Sequence, residues 1–316
     1  MRIRGGASEP QNRPAPAITS TGTAAVITAF NPPAELAGRV GSMLEVFRAV
    51  AVVDDGSTSG SEVLAECERL GAAVIRQGRN TGIGAALNAG ITALLEEHNG
   101  LSWIVTFDQD SEPPAGLLAM YDQARRAALA DGITVGAISP ESVSGSRVLS
   151  RGGNGGYFEV AEPIQSALLI SRAALDTAGG FDEGLFIDGV DTDFYWRLRK
   201  AGFCAVAAPG VALEHSLGTR SGARFLGRPL RIRNQPVQLM QSAPFRYYYI
   251  GRNRIHLLRR YFSTQPRWML RGLALDLRHV IVVGLLGTQR RQRLGYFVKG
   301  TADGLRGRTG KAQDTR

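Results

Sequence analysis

The chain has 316 residues, 44% of them hydrophobic, enough for one large domain or a domain with an appendage. Its two cysteines, Cys67 and Cys204, exclude a disulfide framework and a zinc site and point to a reducing compartment. The net charge of +9 hides an asymmetry: Met1–His215 carries 16 Lys and Arg against 25 Asp and Glu, whereas Ser216–Arg316 carries 21 against three. A basic block of that kind attracts anionic lipid, nucleic acid or a phosphorylated substrate.

Residues 1–22, rich in Pro, Ser, Gly and Ala without an apolar segment, read as a disordered tail and not as a secretory signal. Ala24–Ala29 reads as a first buried strand, ended by Asn31-Pro32-Pro33, and Pro33 can open a helix running to Phe47. Ala49–Val53 is a second strand, Ser61–Leu70 a helix, Ala73–Arg76 a third strand, Ala85–Glu97 a helix, Trp103–Phe107 a fourth strand and Pro114–Ala130 a helix. Strands alternating with helices of this length predict right-handed crossovers and a mostly parallel, doubly wound sheet. After a fifth strand at Ile133–Ile138 the rhythm breaks into short strands around Gly152-Gly153-Asn154-Gly155-Gly156, followed by a helix at Val190–Ala201. Ser216–Ala243 has little periodicity and reads as a linker or loop. Helices are expected at Phe245–Phe262, Arg267–Leu286 and Arg290–Leu305, with a disordered tail over 306–316. No run of roughly 18 apolar residues occurs, so no transmembrane helix is expected.

Two strands end in acids. The fourth runs into Asp108-Gln109-Asp110-Ser111 and the second into Asp54-Asp55-Gly56-Ser57. In an open α/β sheet, ligands bind outside the carboxyl ends of the strands. Two carboxylates with one spacer suit a hard divalent cation that also touches a phosphate, and the other pair could hold a base or sugar hydroxyls. The plainer reading of both is a turn, with Asp54 as an Asx-turn residue. Gly82-Ile83-Gly84 lacks the third glycine of a dinucleotide fingerprint and reads as a loop at a helix N-terminus, where backbone N–H groups can face an anion.

A third cluster comprises Asp188, Asp191 and Asp193. With a helix starting near Gly189, Asp188 is its N-cap and Asp191 lies at the third position; the plain reading is favourable placement of acids at a helix start. Asp193 can pair with Arg197 four residues on, which leaves Asp191 as the better general base. His215 lies at a domain edge and could complete the metal shell of Asp110.

Together these residues resemble glycosyltransferase family 2, the inverting GT-A fold, over about Thr23 to Arg260. The resemblance rests on Val53-Asp54-Asp55-Gly56-Ser57, Arg79-Asn80-Thr81-Gly82, Asp108-Gln109-Asp110-Ser111, Gly179-Gly180-Phe181-Asp182, Val190-Asp191-Thr192-Asp193 and His215. The strings Phe107–Ser111, Phe186–Asp191 and Tyr247-Tyr248-Tyr249-Ile250-Gly251-Arg252-Asn253 are similar to the rhamnosyltransferase branch. The resemblance implies a catalytic domain over 23–215, a linker over 216–243 and a basic helical extension over 244–305. It implies that Phe30, Asp54, Asp55, Asn80, Gly82, Asp108 and Gln109 bind the nucleotide-sugar. Asp110 and His215, with Asp108, would ligate Mg2+ or Mn2+, and Asp191 would deprotonate the acceptor, with Asp188 and Asp193 as rivals. Many relatives have Glu-Asp where this chain has Val190-Asp191.

The activity so implied is transfer of L-rhamnose from dTDP-rhamnose to a glycan or lipid-linked acceptor in cell-surface polysaccharide synthesis. The alternatives are a UDP-sugar donor such as a galactofuranosyl one, a haloacid-dehalogenase-type phosphatase built on Asp108-x-Asp110, or a nucleic-acid binder using the basic third. The phosphatase pattern normally follows a first strand. The C-terminal helices fit an anionic membrane surface better than nucleic acid, which places the protein at the cytoplasmic inner face of the membrane, with a homodimer as the other use for those helices.

Overall fold

The computed structural model describes residues 15–213, 219–225, 228–233 and 235–313. Its first half alternates β1 (Thr23–Ala29), α1 (Leu36–Val46), β2 (Val50–Asp54), α2 (Ser61–Arg69), β3 (Ala73–Arg76), α3 (Ile83–Glu97), β4 (Trp103–Asp108) and α4 (Leu117–Ala130). There follow β5 (Val135–Val143), β6 (Ser146–Arg147), β7 (Ser150–Gly153), β8 (Phe158–Val160), β9 (Leu168–Ser171), α5 (Arg172–Ala178), α6 (Val190–Lys200) and β10 (Cys204–Leu213). The large sheet has the order β3-β2-β1-β4-β9-β5-β10-β8-β7, with β6 on β5. Strands β1 to β4 are mutually parallel, β10 is parallel to β5, and β9 runs antiparallel between β4 and β5. The sheet is mixed: β1 to β4 are parallel and alternate with helices as expected, antiparallel strands extend the other end, and C-terminal helices are added.

Strand residues alternate between two cores, as a sheet covered on both faces requires. Ala25 and Ile27 of β1, with Trp103, Val105 and Phe107 of β4, pack with α1, α2 and α4. Ala24 and Val26, with Ile104, pack with Leu87 of α3 and Phe194, Tyr195 and Leu198 of α6. Gly90 of α3 lies where a Cβ would stand 2.5 Å from Val26, so the helix crosses the sheet without a side chain at that point.

Helix starts move slightly from the sequence expectation. Helix α4 begins at Leu117, not Pro114, because Gly116 takes a left-handed φ of 74° immediately before it. Helix α1 begins at Leu36 after a turn closed by Leu36 N–H on Pro33 C=O. The segment read as a loop carries three short antiparallel ladders: Thr219–Gly222 with Gln238–Gln241, Arg224–Phe225 with Arg228–Pro229, and Arg231–Ile232 with Gln235–Pro236. Their local pairing leaves little hydrophobic period to read.

Three helices complete the chain: α7 (Arg246–Tyr261), α8 (Pro266–Leu286) and α9 (Arg290–Leu305). Helix α7 is no detached extension. Tyr247, Tyr248, Tyr249, Arg252, Asn253, Leu257 and Tyr261 are all buried, and Leu257 and Tyr261 share the core of α6. Residues 306–313, expected as a free tail, instead run back against the body: Gly310 N–H donates to Gly184 C=O and Ala312 N–H to Tyr249 Oη.

Candidate active site

Strand order reverses about β1: β2 and β3 lie on one side and β4 on the other. Such a switch point opens a crevice at the carboxyl ends of the strands. Register puts Thr28 opposite Asp108 and Ala29 opposite Asp54, so the two acidic strand ends meet on one edge. A cavity of about 480 Å³ opens there, lined in part by Phe30, Asp55, Asn80, Gly82, Asp108, Gln109 and Phe186.

The two members of the first acidic pair do different things. Asp54 Oδ1 accepts from Ser57 N–H at 3.0 Å, the Asx turn that was its plain reading. Asp55 Oδ1 accepts from the Thr81 N–H at 2.6 Å and hydroxyl at 2.9 Å, and its Oδ2 accepts from Gly82 N–H at 3.0 Å. Gly82 precedes α3 with φ 98°, and a Cβ there would stand 2.5 Å from Phe186 O. Ile83 N–H donates to that same carbonyl. The backbone donors expected to face a bound anion therefore serve Asp55 and Phe186. Asn80 lines the cavity, and its buried Oδ1 has no hydrogen-bond partner among the described residues.

Gln109 holds the mouth of the cavity. Its Oε1 accepts from Phe30 N–H at 2.9 Å and its Nε2 donates to Phe30 C=O at 3.3 Å, extending the β1–β4 pairing by side chain. The Phe30 ring is left 45% exposed at the rim.

The third acidic cluster divides sharply. Helix α6 starts at Val190 with Gly189, in a left-handed conformation, at its N-cap position and no side-chain cap. Asp188 is thus not the N-cap, and Asp191 falls at the second helical position, not the third. Asp188 itself has φ 65° and is gripped at both oxygens by Arg246. Asp193 is fully buried. One of its oxygens accepts from Arg197 Nε at 2.8 Å, and the other is shared by Tyr261 Oη at 2.7 Å and Arg260. Asp191 Oδ1 accepts from the N–H of Thr192 at 2.8 Å. Burial pushes its carboxyl up; that bond opposes the shift, the Asp188 charge adds to it and Arg246 works against it. A carboxylate raised in this way accepts a proton more readily than a free aspartate.

Arg246 is a site residue that the sequence reading missed. Burial disfavours its charge, but Asp188, then Asp191 and Asp108, outweigh burial and hold it protonated. A cation at the first position of a helix opposes the helix dipole, and that misplacement was the available signal of an acidic partner. Glu162 was missed as well: Trp268 Nε1 donates to it at 2.5 Å, burial pushes its carboxyl up, and Asp191 adds to the rise.

Helix α7 fixes the loop before Asp191. Asn253 Nδ2 donates to Leu185, Ile187 and Asp188 carbonyls at 2.9, 2.8 and 2.6 Å. Arg252, fully buried, donates to Gly184 and Leu185 carbonyls and lies over the Tyr248 and Tyr249 rings. Tyr249 stacks on Phe186 at 4.8 Å between centroids, and Phe186 closes on Gly82. On the other flank Asn88 of α3 brackets Phe181, accepting its N–H and donating to its C=O.

The metal set is partly visible. His215 lies outside the described residues. Asp108 ends β4 and Asp110 lies in the turn after it. Among the described residues no group of three or more His, Cys, Asp or Glu side chains forms a closed metal cage. Two carboxylates one residue apart still fit Mg2+ or Mn2+, because such ions take one or two carboxylates and complete their shell with substrate phosphates and water.

The chain is similar in sequence to known glycosyltransferases. A family model described as Glycosyl transferase family 2 matches residues 24–155. The chain is 27% identical over 300 residues to dTDP-rhamnosyl transferase RfbF of Shigella flexneri, covering 90% of this chain and 96% of that one. It is 25% identical over 281 residues to the N-acetylglucosaminyl-diphospho-decaprenol L-rhamnosyltransferase of Mycobacterium tuberculosis H37Rv, covering 78% and 87%. A crystal structure of S. aureus TarS 1-349 superposes with a TM-score of 0.45 at 15% identity, covering 93% of each chain. Both acidic strand ends lie inside the segment that matches the glycosyl transferase family 2 model, and over most of its length the chain is similar to rhamnosyltransferases.

Proposed function

We propose that this enzyme transfers L-rhamnose from dTDP-rhamnose, with inversion, to a hydroxyl of a glycan or lipid-linked saccharide in cell-surface polysaccharide synthesis. The observation that carries the reading is that the acidic strand ends meet at one cavity, lined by Asp55 and Asp108, whose wall includes Phe186 and Ile187 of the loop that leads to Asp191. The sugar and nucleotide are taken from the two rhamnosyltransferase relatives, one of them a dTDP-rhamnosyl transferase by name.

In this reading the nucleotide lies across the β1–β4 crevice with its base beside Phe30, Asn80 and the Asp55-fastened loop. Asp108 faces the ribose and diphosphate. Asp108 and Asp110 would hold Mg2+ or Mn2+, with His215 as their further ligand, and the ion supplies charge compensation for the departing diphosphate. Asp191 takes the proton of the acceptor hydroxyl. The oxygen then bonds to the anomeric carbon as the bond from that carbon to the phosphate oxygen breaks, and the nucleoside diphosphate leaves with that electron pair. Asp193, saturated by Arg197, Arg260 and Tyr261, anchors α6 and does not act as base. Incubating the protein with dTDP-rhamnose and a panel of UDP-sugars, each with Mg2+ or Mn2+, tests the donor. Metal-dependent consumption of dTDP-rhamnose is expected; turnover of a UDP-sugar alone would assign the other donor class.

The acceptor reading places the enzyme at an anionic lipid surface. Helix α8 exposes Leu270, Leu277, Ile281 and Leu285 at helical spacing, flanked by the exposed Arg267, Arg271 and Arg278. Among the described residues no helix is long and apolar enough to cross a membrane, and each basic residue near such a surface adds about 1 kcal/mol. Changing Leu277 and Ile281 to Asp should release the protein from phosphatidylglycerol vesicles in sedimentation. A wild-type protein that fails to sediment with them at low salt, but runs as a dimer that the double change dissolves, would make α8 a self-association face.

A further inference from the structure

Beyond α9 the chain returns to the donor cavity. Arg308 bonds by side chain to Asp303 at 3.1 Å, and Gly307 and Gly310 turn the backbone with φ 77° and 74°. Gly310 N–H donates to Gly184 C=O at 2.6 Å, and Gly310 C=O accepts from Arg252. Ala312 N–H donates to Tyr249 Oη at 3.0 Å, and Ala312 packs on the Phe186, Tyr248 and Tyr249 cluster. The strand of chain is thus fastened on both sides of Lys311, and onto the same loop and rings that position Asp188 and close on Gly82.

Lys311 lines the 480 Å³ cavity with Asp55, Asn80 and Asp108, and it also borders a second groove of about 910 Å³ along α3. It is the single cation among the described residues lining the donor cavity, and no hydrogen bond or ion pair engages its ammonium there. Arg246 does not line the cavity and donates from Nε and Nη2 to Asp188. A nucleoside diphosphate brings at least two negative charges into a cavity that Asp55 and Asp108 also line, and the Lys311 cation at its wall complements that ligand.

We propose that residues 307–313 form a strap that completes the donor site and that the Lys311 ammonium binds the diphosphate of the nucleotide-sugar. This rests on the nucleotide-sugar reading of the cavity. The strap is fixed by residues of the Tyr247–Asn253 string, so one set of side chains positions both the loop before Asp191 and the cation across from it.

The test is calorimetric titration of the full chain with dTDP and with UDP in Mg2+. Lys311→Ala should weaken binding of the accepted diphosphate about tenfold, the loss of one charge-assisted hydrogen bond. Its melting temperature should stay near wild type, because the strap is held by backbone groups at 310 and 312. Lys311→Arg should recover most of the affinity, and a chain ending at Gly310 should match Lys311→Ala. Wild-type affinity in Lys311→Ala, or equal losses in Lys311→Arg and Lys311→Ala, would overturn the role given to the lysine. A truncation that weakens binding while Lys311→Ala does not would do the same. If the wild-type protein binds neither diphosphate, the donor reading itself fails and the strap proposal falls with it.

Discussion

Arg246 grips Asp188 at both carboxylate oxygens, three residues before the part-buried Asp191. The pair does two things at once. It holds the loop that enters α6, and it sets the charge seen by Asp191, which Asp188 pushes up and Arg246 draws down.

Removing the arginine should therefore move the pH profile. Burial already holds the Asp191 carboxyl above the ordinary carboxylate range, and the other acids facing it are Asp188 and Glu162. In Arg246→Met the downward influence is gone and Asp188 is unpaired, so Asp191 rises further. A base must be ionised, so the acidic limb of kcat should shift to higher pH relative to wild type. Profiles that superimpose would separate Arg246 from the base.

Asn253 offers a test of positioning. Its amide answers three carbonyls of the loop, so Asn253→Ala leaves them unanswered and should cost about 1–3 kcal/mol of stability. Turnover should fall further than affinity for the nucleoside diphosphate, which weakens to a lesser degree because Ile187, whose carbonyl Asn253 holds, lines the donor cavity. A variant with normal kcat would reduce Asn253 to a packing residue.

Asp193 is predicted to matter for folding. Its carboxylate is wholly enclosed and meets Arg197, Arg260 and Tyr261, so Asp193→Ala strands two guanidinium groups around an empty site. A loss of about 3 kcal/mol, discounted from the fully buried range because both arginines reach solvent, is expected in urea unfolding. A loss below about 1 kcal/mol would mean that the arginines find water instead.

The sequence carried the sheet well because hydrophobic period and turn residues are local. Strands β1 to β4 and their acidic ends lie within a residue or two of where the pattern puts them, and the Asp193–Arg197 pair follows from helical spacing alone. Long-range contacts were not legible. Nothing in the neighbourhood of Asp188 says that Arg246, 58 positions on, will hold it, and Asn253 reads as one polar residue in a helix until its carbonyl partners are placed. Asp55 was legible as important, but not the fastening of its carboxylate to Thr81 and Gly82. Lys311 lay in a stretch whose composition reads as a tail. Only the groove between Gly184 and Tyr249 gives it a place.

Metal dependence isolates Asp110. Asp110→Ala should abolish the thermal shift that Mn2+ adds in the presence of nucleoside diphosphate, while leaving the melting temperature of the protein alone nearly unchanged. His215→Ala should weaken the same response less. A full metal-dependent shift in Asp110→Ala would remove the residue from the metal site.

The central claim is that Asp191 is the base of a glycosyl transfer, and Asp191→Asn measures it most directly. The amide keeps the shape and the bond from Thr192 N–H but cannot take a proton. Turnover of dTDP-rhamnose onto acceptor should fall by about 100-fold or more while the affinity for donor, titrated on the same preparation, is unchanged. Turnover within a few-fold of wild type, or loss of donor binding in step with turnover, would contradict the assignment.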